Sequence, residues 1–166
     1  MAKPHRFVAV DTEVLLALEA GDDDCTGAID RLSAAGFFCL VTETPLQELA
    51  AICQLDSDPE AVAHAKSTLV QITNFGFLKP SLNAVEMGVA ERVAHKICTA
   101  SLSAGTLNDG LVVAEAAYHN CLILLTRRKI ILDSKTDSLQ IALVDFDLSP
   151  IVVVSPSEIV GYYSRQ

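Results

Sequence analysis

The chain has 166 residues, 51% of them hydrophobic, and 12 Lys and Arg against 21 Asp and Glu give a net charge of −9. That length matches one ordinary domain, expected over residues 1–166, with enough apolar side chains for a sizeable core. The acidic balance argues against gripping nucleic acid through bulk electrostatics, and no stretch approaches the ~20 apolar residues that span a bilayer.

Met1-Ala2-Lys3-Pro4-His5-Arg6 leads directly into the apolar run Phe7-Val8-Ala9-Val10, with no signal-peptide core. Asp11 closes that strand, and either Asp11 or Thr12 can cap a helix to about Glu19, ended by Gly21 and the acidic turn Asp22-Asp23-Asp24. A second helix over about 25–35 stops at Gly36, and strand two is Phe37-Phe38-Cys39-Leu40-Val41. Thr44-Pro45-Leu46-Gln47 reads as a helix start, with Thr44 as N-cap, Pro45 at N1 and Gln47 completing a capping box. Asp58-Pro59 opens a helix to about Thr73, residues 75–82 form a Gly/Pro-punctuated connection, and another helix runs from about Asn83 to Ala100. Thr106 or Asn108 caps a helix over 109–119, which is apolar at nearly every position and therefore central. Strand three is 122–126. An exposed basic turn follows, then a helix over 136–144. Strand four is Ile151-Val152-Val153-Val154, and Ser155-Pro156-Ser157-Glu158 is a capping box that opens the last helix.

All-apolar strands need cover on both faces, which favours a parallel sheet between helices. The alternation predicts an α/β fold: a three-layer α/β/α sandwich with a central parallel sheet of four or five strands and right-handed crossovers. Ligands of such sheets sit outside the carboxyl ends of the strands, and acids gather there. Asp11 ends strand one, Glu48 lies one turn into the helix after strand two, and Asp109 opens the helix before strand three. Each also has a local explanation, as an N-cap worth about 1 kcal/mol or a first-turn acid suited to the helix dipole. Glu115 lies roughly 120° from Asp109 by the 3.6 period and reads as a solvent or salt-bridge residue.

Lys79, Arg92, Lys96, Arg127, Arg128, Lys129 and Lys135 are candidates for local basic patches. Cys25, Cys39, Cys53, Cys98 and Cys121 are odd in number and contain no Cys-x-x-Cys pair, so buried free thiols in a reducing, cytoplasmic setting are expected. A phosphatase-type Asp-x-Asp is absent, since Asp11-Thr12-Glu13 does not satisfy it, and so are Gly-rich dinucleotide and P-loop signatures. The acids do not line up as in a response-regulator receiver either.

In their order these blocks resemble the PIN (PilT N-terminus) domain, the small α/β nuclease fold typical of VapC-type toxins. The resemblance spans nearly the whole chain. Val8-Ala9-Val10-Asp11-Thr12 is similar to the family's opening motif, and Val41 to Leu49 to its second-strand exit with a helical Glu. Asn108 to Ala116 followed by Leu124-Leu125-Thr126-Arg127 resembles the third block, and Val153 to Ile159 the closing strand and Pro-started helix. The resemblance implies that Asp11, Glu48 and Asp109 ligate Mg²⁺ or Mn²⁺ and catalyse attack of metal-activated water on an RNA phosphodiester. It further implies RNA as substrate, an antitoxin protein as partner of toxin members and homodimer formation, while the lack of a bilayer-length apolar stretch leads to the expectation of no membrane association. One block departs. The family continues Thr-Arg-Asp where this chain has Thr126-Arg127-Arg128, which removes a carboxylate and brings a cation, leaving Asp133 as the weaker substitute ligand. Glu13, where a small polar residue is usual, is a lesser departure. A metal-dependent endoribonuclease is therefore one expectation. A degenerate RNA-binding or protein-interaction module is the other.

Overall fold

The four apolar runs become four parallel strands, β1 (Arg6–Val10), β2 (Phe37–Leu40), β3 (Cys121–Leu125) and β4 (Val152–Val154), in a computed structural model that describes residues 6–165. The lead-in over residues 1–5 lies outside the described residues. The strands lie in the order β2-β1-β3-β4. β1 and β3 are thus neighbours despite more than a hundred intervening residues. Their ends are level, with Val10 paired to Leu125, so Asp11 and Thr126 emerge side by side.

Alternation along the strands sends Val8, Val10, Cys39 and Leu125 to one core, and Ala9, Leu40 and Leu124 to the other. The first core is covered by α1 (Thr12–Glu19), α2 (Asp23–Ala34), α3 (Glu43–Leu55), α4 (Pro59–Asn74) and α9 (Pro156–Tyr163). The second is covered by α5 (Ala84–Ala100), α6 (Leu107–Tyr118) and α8 (Thr136–Val144). A short α7 (Lys129–Leu132), not expected from the sequence, follows β3. This is the three-layer α/β sandwich with a four-stranded sheet among the described residues.

Several helix starts follow their local signals. Asp58, Asn83, Thr106 and Ser155 each accept backbone N–H bonds at their helix N-termini, and the last three form full capping boxes. Two starts differ from expectation. The acidic turn 22–24 begins α2, with Asp22 as its cap, instead of closing α1. α3 begins at Glu43, and its N-cap, Thr42, makes no side-chain capping bond. The connection over 75–82 does more than connect: Leu78 donates to the Cys39 carbonyl at 2.9 Å and accepts from the Val41 amide at 2.8 Å. It thereby pairs the exposed edge of β2, which would otherwise offer free backbone groups to another chain. No described helix is long and apolar enough to cross a membrane.

Candidate functional site

Asp11 is fully buried at the end of β1, and both of its oxygens are committed. Oδ1 accepts the Thr12 amide at 2.7 Å, which caps α1, and Oδ2 accepts the Thr126 hydroxyl at 2.7 Å from the neighbouring strand end. Asp109 uses Oδ2 for the capping box of α6, accepting the Thr106 amide and hydroxyl at 2.7 and 2.8 Å. Its Oδ1 remains for another partner. Glu48, on α3, accepts the Thr12 hydroxyl through Oε2 and the Asn108 amide through Oε1 at 3.3 Å.

The partner these three acids share is Arg128. Its backbone N–H donates to the Thr126 hydroxyl at 3.0 Å, turning the chain back over the strand ends. The guanidinium then spends each nitrogen on a different carboxylate: Nε on Asp11 Oδ2 at 2.9 Å, Nη1 on Asp109 Oδ1 at 3.1 Å, and Nη2 on Glu48 Oε2. Nη2 also reaches the Thr12 hydroxyl at 3.4 Å. The Arg128 side chain is 13% exposed, against 0% for Asp11, 19% for Glu48 and 10% for Asp109. The turn read from sequence as exposed thus sends one arginine inward and leaves Arg127 outside. Planarity makes this possible, because a guanidinium presents five donors in a fixed fork, while an ammonium presents a point charge.

Burial and charge pull against each other here. Burial pushes the Asp11 carboxyl up, and this outweighs the opposing pull of the Arg128 charge and of the Thr126 and Thr12 donors. Burial also acts upward on Asp109, but the Thr106 donors and Arg128 win and its pKa is lowered. For Arg128 burial favours loss of the proton, and the charges of Asp11 and Glu48 overcome it and hold the guanidinium more firmly protonated. Each pair at contact distance is worth roughly 4 kcal/mol or more gross at an effective dielectric near 20. Desolvation costs several kcal/mol per ion, so such a network persists only while it is complete.

The donor chemistry of Asp11, Glu48 and Asp109 suits a hard divalent cation, being all carboxylate oxygen. The arrangement does not. Arg128 stands between the acids, and among the described residues no group of three or more His, Cys, Asp or Glu side chains is disposed to hold a metal ion. The three acids singled out in the sequence converge, and a guanidinium stands at their centre.

No protein-family model and no curated protein matches the chain. Solved structures do. VapBC2 from Rickettsia felis, bound to a DNA fragment from its promoter, is 13% identical over 90% of this chain and 98% of that chain, with a TM-score of 0.59. FitAcB from Neisseria gonorrhoeae is 16% identical over 90% and 97%, with a TM-score of 0.54. FitAB bound to an IR36 DNA fragment is 16% identical over 90% and 95%, with a TM-score of 0.58. VapC and FitB are PIN-domain proteins. This chain has the PIN fold.

In the PIN fold of this chain the remaining candidates lie apart from the acids. Asp133 is exposed at the end of α7, and among the described residues the site's hydrogen bonds do not include it. Arg127 pairs with Asp22 at 3.2 Å and Lys96 with Asp145 at 3.7 Å, while the Arg92 guanidinium lies 5.9 Å from the Phe146 ring centroid. Three of the seven basic candidates, Lys96, Arg127 and Arg128, thus face carboxylates. Thr12, Thr126 and Asn108 join the site through contacts across the sheet end that sequence reasoning did not assign. The hydroxyl in Thr126-Arg127-Arg128 was the available signal, since a Thr at a strand exit beside an Asp-bearing strand can bond across.

Glu115 corrects the sequence reading. It is 1% exposed, and it accepts the Thr44 hydroxyl at 2.7 Å and the Thr44 amide at 2.9 Å. Thr44 sits in the first turn of α3, where an N–H has no partner within the helix, so Glu115 caps from α6 a helix whose own N-cap is silent. A helix apolar all round is buried all round, which was the sequence signal that a Glu within it would be buried too. This bond joins the helix carrying Glu48 to the helix carrying Asp109. Burial pushes the Glu115 carboxyl above its ordinary 4.5, against the Thr44 donors. A carboxyl raised on folding stabilises the fold fully below its unfolded value, and that contribution disappears as pH rises through the folded value. Glu115→Gln keeps an acceptor for Thr44 and removes the charge. Urea unfolding across pH is therefore expected to show the variant gaining on wild type from about pH 4.5 upward. A constant difference across that range would contradict a buried carboxylate at this place.

Proposed function

We propose that the chain works as a PIN-fold subunit of a two-protein complex of toxin–antitoxin type, with its acid pocket closed by Arg128 and not operating as a metal-dependent ribonuclease. The observation that carries this reading is the guanidinium paired with all three acids. The net charge of −9 and the pairing of Lys96 and Arg127 with carboxylates favour a protein partner over RNA. The structural neighbours, VapBC and FitAB, are such complexes, which supports the same partner class.

The second reading, a divalent-metal endoribonuclease, draws on the convergence of Asp11, Glu48 and Asp109 outside the strand ends. It requires Arg128 to leave them. Incubation of structured and single-stranded RNAs with the purified chain and Mn²⁺, and then with EDTA, separates the two. The expected result is no metal-dependent cleavage above that of Asp11→Asn. Cleavage by wild type that EDTA and Asp11→Asn both abolish overturns the closed-site reading. Co-expression with the product of an adjacent gene, followed by light scattering, tests the partner: a stoichiometric complex is expected, and two separate species contradict it.

A further inference from the structure

We propose that Arg128 is a built-in cation that takes the place of a divalent ion at the strand ends, so that the wild-type chain is organised there without metal and is refractory to it. The inference deepens the closed-site reading and rests on it.

Three observations converge. Asp11, Glu48 and Asp109 reach one point from the end of β1, from α3 on one face of the sheet and from α6 on the other, elements far apart in the chain. Like charges brought together in a largely buried place repel, and a fold that assembles them needs positive charge between them. Arg128 supplies it, with one nitrogen for each acid. Its approach is also built in, because the Thr126 hydroxyl donates to Asp11 and accepts the Arg128 amide, linking the acid and the backbone of its cation through one atom. The same chain segment therefore brings the cation wherever β1 and β3 pair. One guanidinium cancels one of three carboxylate charges and a divalent ion would cancel two, so the acids retain attraction for a cation that the guanidinium blocks by occupancy.

Occupancy is what the test reads. Mn²⁺ titration by calorimetry, with thermal unfolding in Mn²⁺ and in EDTA, is run on wild type, Arg128→Ala and Arg128→Ala with Asp109→Asn. Wild type is expected to give no saturable heat and the same Tm in both buffers. Arg128→Ala is expected to bind Mn²⁺ at least about tenfold more tightly than wild type and to gain Tm from it by mass action, and the added Asp109→Asn is expected to remove that gain. Arg128→Ala folded by Mn²⁺ but not in EDTA supports the inference equally. Saturable binding by wild type as tight as that of Arg128→Ala overturns it. So does a folded Arg128→Ala that ignores Mn²⁺. Should Arg128→Ala fail to fold in either buffer, Arg128→Lys is read in its place. Its ammonium carries its three donors on one nitrogen and does not reproduce the fork of Nε, Nη1 and Nη2 on the three acids, so a Tm gain from Mn²⁺ larger than that of wild type is expected, and none overturns the inference. Mn²⁺-dependent RNA cleavage by wild type defeats the closed-site reading itself. Mn²⁺ binding by wild type without cleavage defeats this inference alone.

Discussion

Arg128→Ala is expected to lose about 3–5 kcal/mol in urea unfolding at neutral pH in EDTA, the range seen when one partner of a buried ion network is removed and the rest stays behind. Four features place it there. The side chain is only 13% exposed, its three nitrogens all have carboxylate partners, and one partner, Asp11, is fully buried. Surface pairs are worth ~0–1 kcal/mol by comparison, and a loss that small would mean that the acids are solvated and the network is incidental. The fourth feature is the shared hydroxyl of Thr126, which loses nothing in the variant and keeps Asp11 where it is, so the acids cannot simply separate. Salt provides a second check. A buried network is screened much less than an exposed one, so raising ionic strength is expected to narrow the gap between wild type and variant only slightly. Asp11→Asn in the Arg128→Ala background is expected to recover part of the loss, because one repelling charge is gone. If the double variant lost the sum of the single losses, the two residues would not be interacting.

Gly110→Ala carries the second large effect, and it acts on the same site through packing. A Cβ built at Gly110 lies 2.6 Å from the Ala94 carbonyl oxygen and 2.8 Å from Cys98 Sγ. Overpacking of a tight core costs about 1–3 kcal/mol, and Ala in place of Gly returns about 1 kcal/mol of helix propensity. The obstructing atom is backbone and cannot rotate away, so α5 and α6 must part, which puts the cost in the upper half of that range and leaves a net loss of about 1–2 kcal/mol. Gly88, also in a helix, has nothing within 4 Å of its added Cβ. Gly88→Ala is therefore expected to be neutral or to gain up to about 1 kcal/mol. Equal outcomes for the two variants in parallel urea titrations would rule out the close approach of α5 to α6. Because Asp109 adjoins Gly110, the displaced α6 is also expected to weaken the Asp109–Arg128 pair.

Much of this protein is legible along the chain because the signals involved are short-range. Apolar runs of strand length, Gly36 before β2, and the boxes at Asn83, Thr106 and Ser155 each depend on residues within one turn of one another. The three acids were readable for the same reason: each sits at a strand exit or a helix start. Where local signals competed with distant partners, the local reading was wrong. Thr44-Pro45-Leu46-Gln47 has the makings of a capping box, yet Thr44 is held by Glu115 from 71 residues away, and the helix starts earlier. Glu115 was assigned to solvent by its angle from Asp109. The angle was right, but a helix buried on every side leaves no solvent face.

Sequence by itself determined the layers, the parallel sheet and the trio Asp11, Glu48 and Asp109, because strand and helix periodicity and end signals are set by neighbouring residues. Only the tertiary structure decided what the trio does. Whether Arg128 points outward with Arg127 or inward depends on β3 lying beside β1, with Thr126 level with Asp11. That adjacency arises from burying two faces of a sheet at once, a property of the whole fold that no short segment carries.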